Sequence, residues 1–400
     1  MAYAEKRGKG QYPWRVKWSI GGGKEDQESG FRTKADALNY GREKEADIRA
    51  GRYHDTKHGS ITLADYFQAK WLPAQRLADR TRIRRESEFR THLQPRWGET
   101  PLTGIESFDV QNFEKELRAQ RSKGTADKVM ELLRFMMDDA VGAGMLRMSP
   151  VLPLQRRGSR APTATRRGVA TTAENILAIG ERLSPPEALL VLTIAYTGMR
   201  WGEAAGIRRS FLHLEPASGG QPASGHYVID PEIGAVVELS GRRVFGPPKN
   251  RRGRTVELPP FLVEQLLAHT ETMPEGRDLL FVTPRSGNIL ERSGFETDRW
   301  RPACNGWPAR EARPRHPARP AAAPIHPGLT IRDLRHTHKT WLAEDDIQPV
   351  ARDERLGHAT PGMDGVYVHA TPAMRRRILA VLQRRWERAQ KSISQAPPNS

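Results

Sequence analysis

Arg332-Asp333-Leu334-Arg335-His336-Thr337, followed by Leu356-Gly357-His358 and by Tyr367 within Val366-Tyr367-Val368-His369, is the stretch whose reading decides the fold. On a helix Arg332, Arg335 and Lys339 share one face, while Leu334 and Trp341 are buried. A planar guanidinium that never loses its charge matches the oxygens of a phosphate. A tyrosine close behind two such arginines and a histidine suggests a nucleophile beside a phosphate clamp. A lone tyrosine would more often belong to a core or an interface.

A second motif lies far upstream. Thr197-Gly198-Met199-Arg200-Trp201-Gly202-Glu203 follows an apolar stretch from about Pro186 to Tyr196, so Arg200 emerges at the edge of a core. Glu203, three residues on, is within reach to orient Arg200. As an isolated pair the two would be an ordinary surface ion pair. Between Arg200 and Arg335 every basic position is arginine except Lys249. Arginine keeps its proton at any accessible pH, whereas lysine can be tuned to release one, which makes Lys249 a candidate general acid. The plain alternative is a turn residue.

The chain has 400 residues and a formal net charge of +17, with 28% charged residues of both signs. That is the profile of a folded protein with basic faces. A phosphate lattice repays many Lys/Arg contacts through counterion release, so the excess favours nucleic acid. Charge alone leaves a ribosomal or merely basic protein as an equal alternative. Cys304 is the single cysteine, which excludes an intrachain disulfide framework and a Cys-based zinc site. Neither an apolar leader nor a run of about eighteen apolar residues is present, so the expectation is a cytoplasmic protein with no membrane partner.

Residues 1–58 read as a small β-sheet followed by a helix. Trp14 to Ile20 alternates with period two, a further strand ends at Phe31, and Thr33 caps a helix from Lys34 to about Ala50 that Gly51 would stop. Its exposed Arg and Lys suit insertion of a sheet into a DNA groove, and a small packing module is an equal reading. Residues 60–154 read as a four-helix bundle. Thr62, Ser107 and Thr125 are its expected caps, and the Arg80–Arg90 face is its candidate DNA surface. Residues 155–168 form a basic linker built from Arg, Gly, Pro, Ser and Thr. Residues 169–390 form the largest domain, mainly helical, with a tail at 391–400. In it, Val244–Lys249 and Arg254–Leu258 read as strands flanking the turn Asn250-Arg251-Arg252-Gly253. The stretch Arg301–Pro320, with five prolines and five arginines, reads as an irregular surface loop and a candidate for disorder. There are no internal repeats.

Taken together, Thr-Gly-x-Arg-x-Gly-Glu, Arg335-His336, Leu356-Gly357-His358 and Tyr367 resemble the tyrosine recombinase (phage integrase) family. The resemblance implies a multidomain fold: an arm-type DNA-binding module of sheet plus helix, an all-α core-binding bundle, and a mainly α (α+β) catalytic domain. It implies a site-specific recombinase that integrates and excises a phage or mobile element through a 3′-phosphotyrosyl link. Tyr367 would be the nucleophile, Arg200 and Arg335 the clamp, Lys249 and His358 the proton-handling groups, and Glu203 and His336 supporting residues. The bond to tyrosine conserves the phosphodiester energy, so no cofactor, ATP or metal is expected. The implied partners are double-stranded attachment sites and three further copies in a homotetramer. An excisionase or a host DNA-bending factor is a candidate accessory, and nucleoid association would follow. Trp386 and its neighbours would form an exchange element docking on an adjacent protomer, or else an ordinary terminal helix packed on its own domain.

Arg332 departs from the family, which usually carries histidine there. An arginine can donate to a phosphate oxygen but cannot accept a proton, so any base role at that position is lost. The favoured reading is an electrostatic substitute, with His358 and Lys249 handling protons. The alternatives are a slow enzyme, or a catalytically impaired DNA-binding remnant or regulator. His326 is a loop histidine with no required role. A metal-dependent nuclease fails for want of clustered acids.

Overall fold

A computed structural model of the chain describes residues 1–50, 60–151, 168–239, 241–249, 251–312, 317–358 and 369–395. Two units divide it, Met1–Ala161 and Pro162–Ser400.

In the first unit, β1 (Tyr3–Lys6), β2 (Trp14–Gly21) and β3 (Lys24–Phe31) form an antiparallel sheet with β2 in the centre. Tyr3 pairs with Lys17 and Trp18 with Asp26. The helix Lys34–Arg49 begins as the sequence predicts, with Thr33 accepting a hydrogen bond from the Asp36 amide. Val16 and Trp18 pack with Ala37 in a small core. A Cβ at Gly41 would lie 2.6 Å from Val16 Cγ2, so only glycine lets the helix sit this close to the sheet. The basic residues of the sheet are partly neutralised within it, since Arg15 and Lys17 both pair with Glu5.

The bundle has the expected helices: runs over 63–74 and 79–97, then Ser107–Gln120 and Lys123–Gly142. Each of the first two contains a π-helical stretch, Tyr66–Trp71 and Phe89–Leu93, that turns its aromatic rings inward. Phe67 and Phe89 stack with centroids 3.9 Å apart. Two expected caps are displaced. Ser107 lies inside its helix, behind Glu106. Ser122 caps the last helix by accepting from the Thr125 amide, because Lys123 and Gly124 extend the helix ahead of Thr125. The arginine face is also smaller than expected. Arg85 turns inward to Glu131 and the Lys128 carbonyl, and Arg82 donates to the carbonyls of Leu72 and Gln75. Only Arg80 and Arg90 remain exposed at the ends of that stretch.

The second unit is built around the helix Pro185–Thr197, which is buried continuously from Leu189 to Thr197. A helix apolar on every side must be covered on every side. The helices Ala173–Gly180, Pro260–Glu271, Ile331–Glu344 and Pro372–Gln395 help to enclose it. Trp386 stacks on Phe261 at 4.2 Å and meets Tyr196 edge-on. It therefore packs against its own unit, the second of the two readings given for it, and the ring helps to bury the central helix.

Two small sheets flank this core, β4-β5-β8 (Leu212–Glu215, Ser224–Ile229, Arg254–Glu257) and β6-β7 (Ala235–Leu239, Arg242–Gly246). The expected strand Val244–Lys249 stops at Gly246, since Pro247 and Pro248 have no amide hydrogens to pair. β7 and β8, expected to flank one turn, belong to different sheets. In the stretch expected to be an irregular loop, the described residues include a short helix and two isolated bridges. Arg301–Asn305 is helical, Trp307 pairs antiparallel with Ala322, and Arg310 pairs with Arg319. Among the described residues no helix is long and apolar enough to cross a membrane.

Candidate active site

The helix Pro185–Thr197 ends at Gly198, whose φ of 69° is the left-handed conformation that terminates helices. A Cβ there would lie 2.6 Å from His338 Cδ2 and 2.7 Å from Leu356 Cδ2, so the turn is pressed against two later segments. Gly202 is equally constrained, because its Cβ would meet the Val236 carbonyl oxygen at 2.4 Å, in contact with β6. Gly198 thus seats the Thr197–Glu203 motif against the helix Ile331–Glu344 and Leu356, and Gly202 seats it against β6.

Glu203 is 1% exposed and holds the site together. Its Oε2 accepts from the Arg200 amide (2.9 Å) and from Arg254 Nη2 (2.7 Å). Its Oε1 accepts from Arg200 Nη1 (3.0 Å) and Arg254 Nη1 (3.2 Å). Burial by itself would raise the pKa of this carboxyl, but the hydrogen bonds and charges of Arg254 and Arg200 outweigh it and hold the group below the ordinary glutamate value. Arg254 also donates Nε–H to the Arg355 carbonyl (3.0 Å), tying Glu203 to the end of the helix Pro349–Leu356. The sequence reading missed Arg254. Its only signal was position, the first residue of a strand just beyond Lys249.

Arg335 donates to the carbonyls of Gly198 and Leu356, both at 2.6 Å, and to His358 Nε2 at 3.0 Å. Burial first, and then the charge of Arg200, push this guanidinium down to about 9, so it remains charged at neutral pH. Arg254 and Arg332 add to the same repulsion. Because Arg335 can only donate, Nε2 of His358 must be the acceptor and Nδ1 carries the hydrogen. That hydrogen points to Asp353 Oδ1 at 3.3 Å. Burial and Arg335 lower the His358 pKa, so the ring is neutral in this state.

Arg200, Glu203, Arg335 and His358 are thus brought together by hydrogen bonds that join them directly or through Gly198 and Arg254. The charges of Arg200, Arg254 and Arg332 all act on Arg335, and the buried carboxylate opposing them there is Glu203. That imbalance favours an anion. Arg332 is exposed in the first turn of its helix, where a cation opposes the helix dipole and serves a ligand better than it serves the fold. Lys249 is exposed on the turn after β7 and forms no hydrogen bond or ion pair among the described residues. Tyr367 lies outside the described residues. His336 is exposed, with its ring against Gly168. His326 is bound to the Thr171 hydroxyl at 2.8 Å, a structural contact.

His338, two residues from His336, is fully buried. Arg355 donates to its Nε2 at 3.1 Å, and its Nδ1–H reaches the Ala195 carbonyl at 2.9 Å. Burial and the neighbouring Arg355 hold it well below the usual histidine range. The buried Arg355 also donates to the carbonyls of Tyr196 and Glu257. This second pair locks the helix Pro349–Leu356 onto the central helix beneath the clamp.

The chain is similar in sequence to the prophage phiRv2 integrase of Mycobacterium tuberculosis, with 26% identity over 320 residues covering 78% of this chain and 76% of that protein. It is 26% identical to the integrase of Mycobacterium phage L5 over 329 residues, with the same coverage. In structure it resembles the Tn1549 transposon integrase in complex with transposon right end DNA, with a TM-score of 0.59, 17% identity, and coverage of 84% of this chain and 100% of that one. The chain is similar in sequence to phage and prophage integrases and shares the fold of the Tn1549 integrase. The lambda integrase, in a dimer bound to a COC′ core site, matches at a TM-score of 0.50 and 15% identity over 90% of this chain and 95% of that one. At these identities the structural likeness establishes the fold. No protein-family profile matches the chain.

Proposed function

We propose that the chain is a site-specific DNA recombinase of the integrase type, cleaving and rejoining DNA through a 3′-phosphotyrosyl intermediate. The observation that carries this reading is the clamp: Arg200 and Arg335 converge with a neutral His358, their orientation set by the buried Glu203–Arg254 pair. The two guanidiniums would hold the non-bridging oxygens of the scissile phosphate and stabilise the charge that grows in the transition state. The phenolic oxygen of Tyr367 would form the new bond to phosphorus as the bond to the 5′-oxygen breaks. Nε2 of His358 would take the phenolic proton once Arg335 turns to the phosphate, and Lys249 would give a proton to the leaving 5′-oxygen. The reverse steps rejoin the strand. Arg332 adds a donor to the clamp without a site for a proton, and His336 supports it.

Residues 1–58 would act as an arm-type DNA-binding module, 60–154 as a core-binding module, 155–168 as a linker and 169–390 as the catalytic domain. By analogy with the family, four copies would join two attachment sites. Accessory DNA-bending or excisionase partners and nucleoid association belong to the same proposal. The test is a nicked suicide substrate made from the element's genomic junction sequence. The active reading expects a covalent protein–DNA adduct that forms in the presence of a chelator and disappears in Tyr367→Phe. A wild-type protein that binds the junction DNA without forming an adduct would instead be a binding remnant.

A further inference from the structure

The second unit carries a strong positive feature that the clamp does not use. It lies on the arm between the helix Arg301–Asn305 and the helix Ile331–Glu344. Two antiparallel segments form the arm. Trp307 and Ala322 exchange both backbone hydrogen bonds (3.0 and 2.9 Å), as do Arg310 and Arg319 (both 2.8 Å). The base is fixed. Arg182 donates to the carbonyls of Ala303 (3.0 Å) and Ala323 (2.8 Å), and Trp307 Nε1 donates to the Pro320 carbonyl (3.0 Å). The guanidiniums of Arg319 and Arg182 lie over the Trp307 ring at 4.4 and 5.4 Å.

This register sets Arg310 directly opposite Arg319. Directly opposed side chains of an antiparallel pair project from the same face with Cβ atoms about 5 Å apart, and like charges there repel. Arg310 Nη2 donates to the Pro317 carbonyl at 3.2 Å, but no carboxylate among the described residues offsets the repulsion. Neither arginine joins an ion pair among the described residues, and the Nε of each is shielded yet unbonded. The one acid between Trp307 and Ala322 is Glu311, which follows Arg310 and so falls on the other face of an extended segment. A guanidinium stacked on indole keeps its in-plane N–H groups free to donate. The arm therefore presents two cations from directly opposed positions, with no carboxylate paired to either among the described residues.

We propose that this arm is a DNA contact separate from the clamp, in which Arg310 and Arg319 together hold one backbone phosphate of the duplex. The proposal rests on the DNA-recombinase reading above. Bound phosphate turns the Arg310–Arg319 repulsion into a two-sided attraction, and the arm adds affinity without sequence preference.

The test uses the full-length chain on a long duplex of arbitrary sequence, with affinity measured across a salt series. Arg310→Gln/Arg319→Gln is expected to flatten the plot of log affinity against log salt by about 0.9, the share of one phosphate. Arg310→Lys/Arg319→Lys keeps the charge and the wild-type slope. Should the double glutamine variant fail to fold, Arg310→Gln alone leaves the Trp307–Arg319 stack intact and gives the same reading. An unchanged slope in a folded variant overturns the proposal. So does an unchanged slope with loss of self-association in sedimentation, which would assign the arm to an acidic surface on a second copy. Wild-type protein that binds no DNA at all would defeat the recombinase reading as well, and that distinguishes the two failures.

Discussion

Replacing Glu203 with glutamine tests whether one buried carboxylate organises the site. Glu203 is 1% exposed, and the Arg254 side chain that meets it is 9% exposed. Glutamine keeps one oxygen, enough for the two bonds now made to Oε1. Its amide nitrogen replaces Oε2 and faces two donors, the Arg200 amide and Arg254 Nη2, at 2.9 and 2.7 Å. Two charge-assisted bonds become donor–donor contacts, and Arg200, Arg254 and Arg335 lose their shared counter-charge. Removing one partner of a buried ion pair costs about 3–5 kcal/mol because the other charge is stranded. At roughly 4 kcal/mol, amides that exchange only on unfolding of the second unit should exchange about a thousandfold faster. Native-state hydrogen exchange read by mass spectrometry resolves this, using peptides from Pro185–Thr197 and Ile331–Glu344. Peptides from Lys123–Gly142 in the other unit serve as an internal reference. Protection within about 1 kcal/mol of wild type would refute the argument, as it would mean that Glu203 is wet or that its arginines find other partners.

Acid should weaken the second unit through histidine. Burial lowers the pKa of both His338 and His358 from 6.5, so below that pH the unfolded chain binds protons that the fold excludes. The stability is fully present above pH 6.5 and falls as pH drops, by up to about 1.4 kcal/mol per pH unit for the fully buried His338 and by less for the part-exposed His358, and His338→Gln should remove its share of the slope in urea titrations. Tyr196 has a buried hydroxyl with no partner among the described residues, and burial pushes its pKa well above the ordinary tyrosine value. Tyr196→Phe should therefore be neutral or stabilise by about 1 kcal/mol in chemical unfolding, and a clear loss of stability would mean that the hydroxyl is bonded. Gly198→Ala combines a left-handed φ with contacts under 3 Å to His338 and Leu356. It should destabilise by roughly 3 kcal/mol, read as a lowered urea midpoint.

Much of the architecture was legible because local chemistry wrote it. Thr33 and Thr62 each cap the helix expected of them, and the apolar run before Thr197 is the central helix. The caps that moved, from Ser107 to Glu106 and from Thr125 to Ser122, did so where neighbouring residues also tolerate a helix, leaving several start positions close in energy. The proline- and arginine-rich stretch is irregular beyond Asn305, as expected, but composition does not reveal that Arg182 and Arg319 both lie over Trp307. Likewise, the pattern of Val244 to Leu258 cannot say which strand each segment will pair with.

For the site, the sequence by itself proposed the groups: Arg200, Arg335 and Lys249 as candidates for a phosphate reaction, with His358 and the departure at Arg332 read from the family pattern. Only the tertiary structure decided how those groups are held. Arg254 and the His338–Arg355 pair carry no motif, since their partners lie about 50, 140 and 160 residues away in sequence. Buried charges are tolerable only where several distant segments supply hydrogen bonds at once, and that condition is met by folding the chain rather than by any stretch of it.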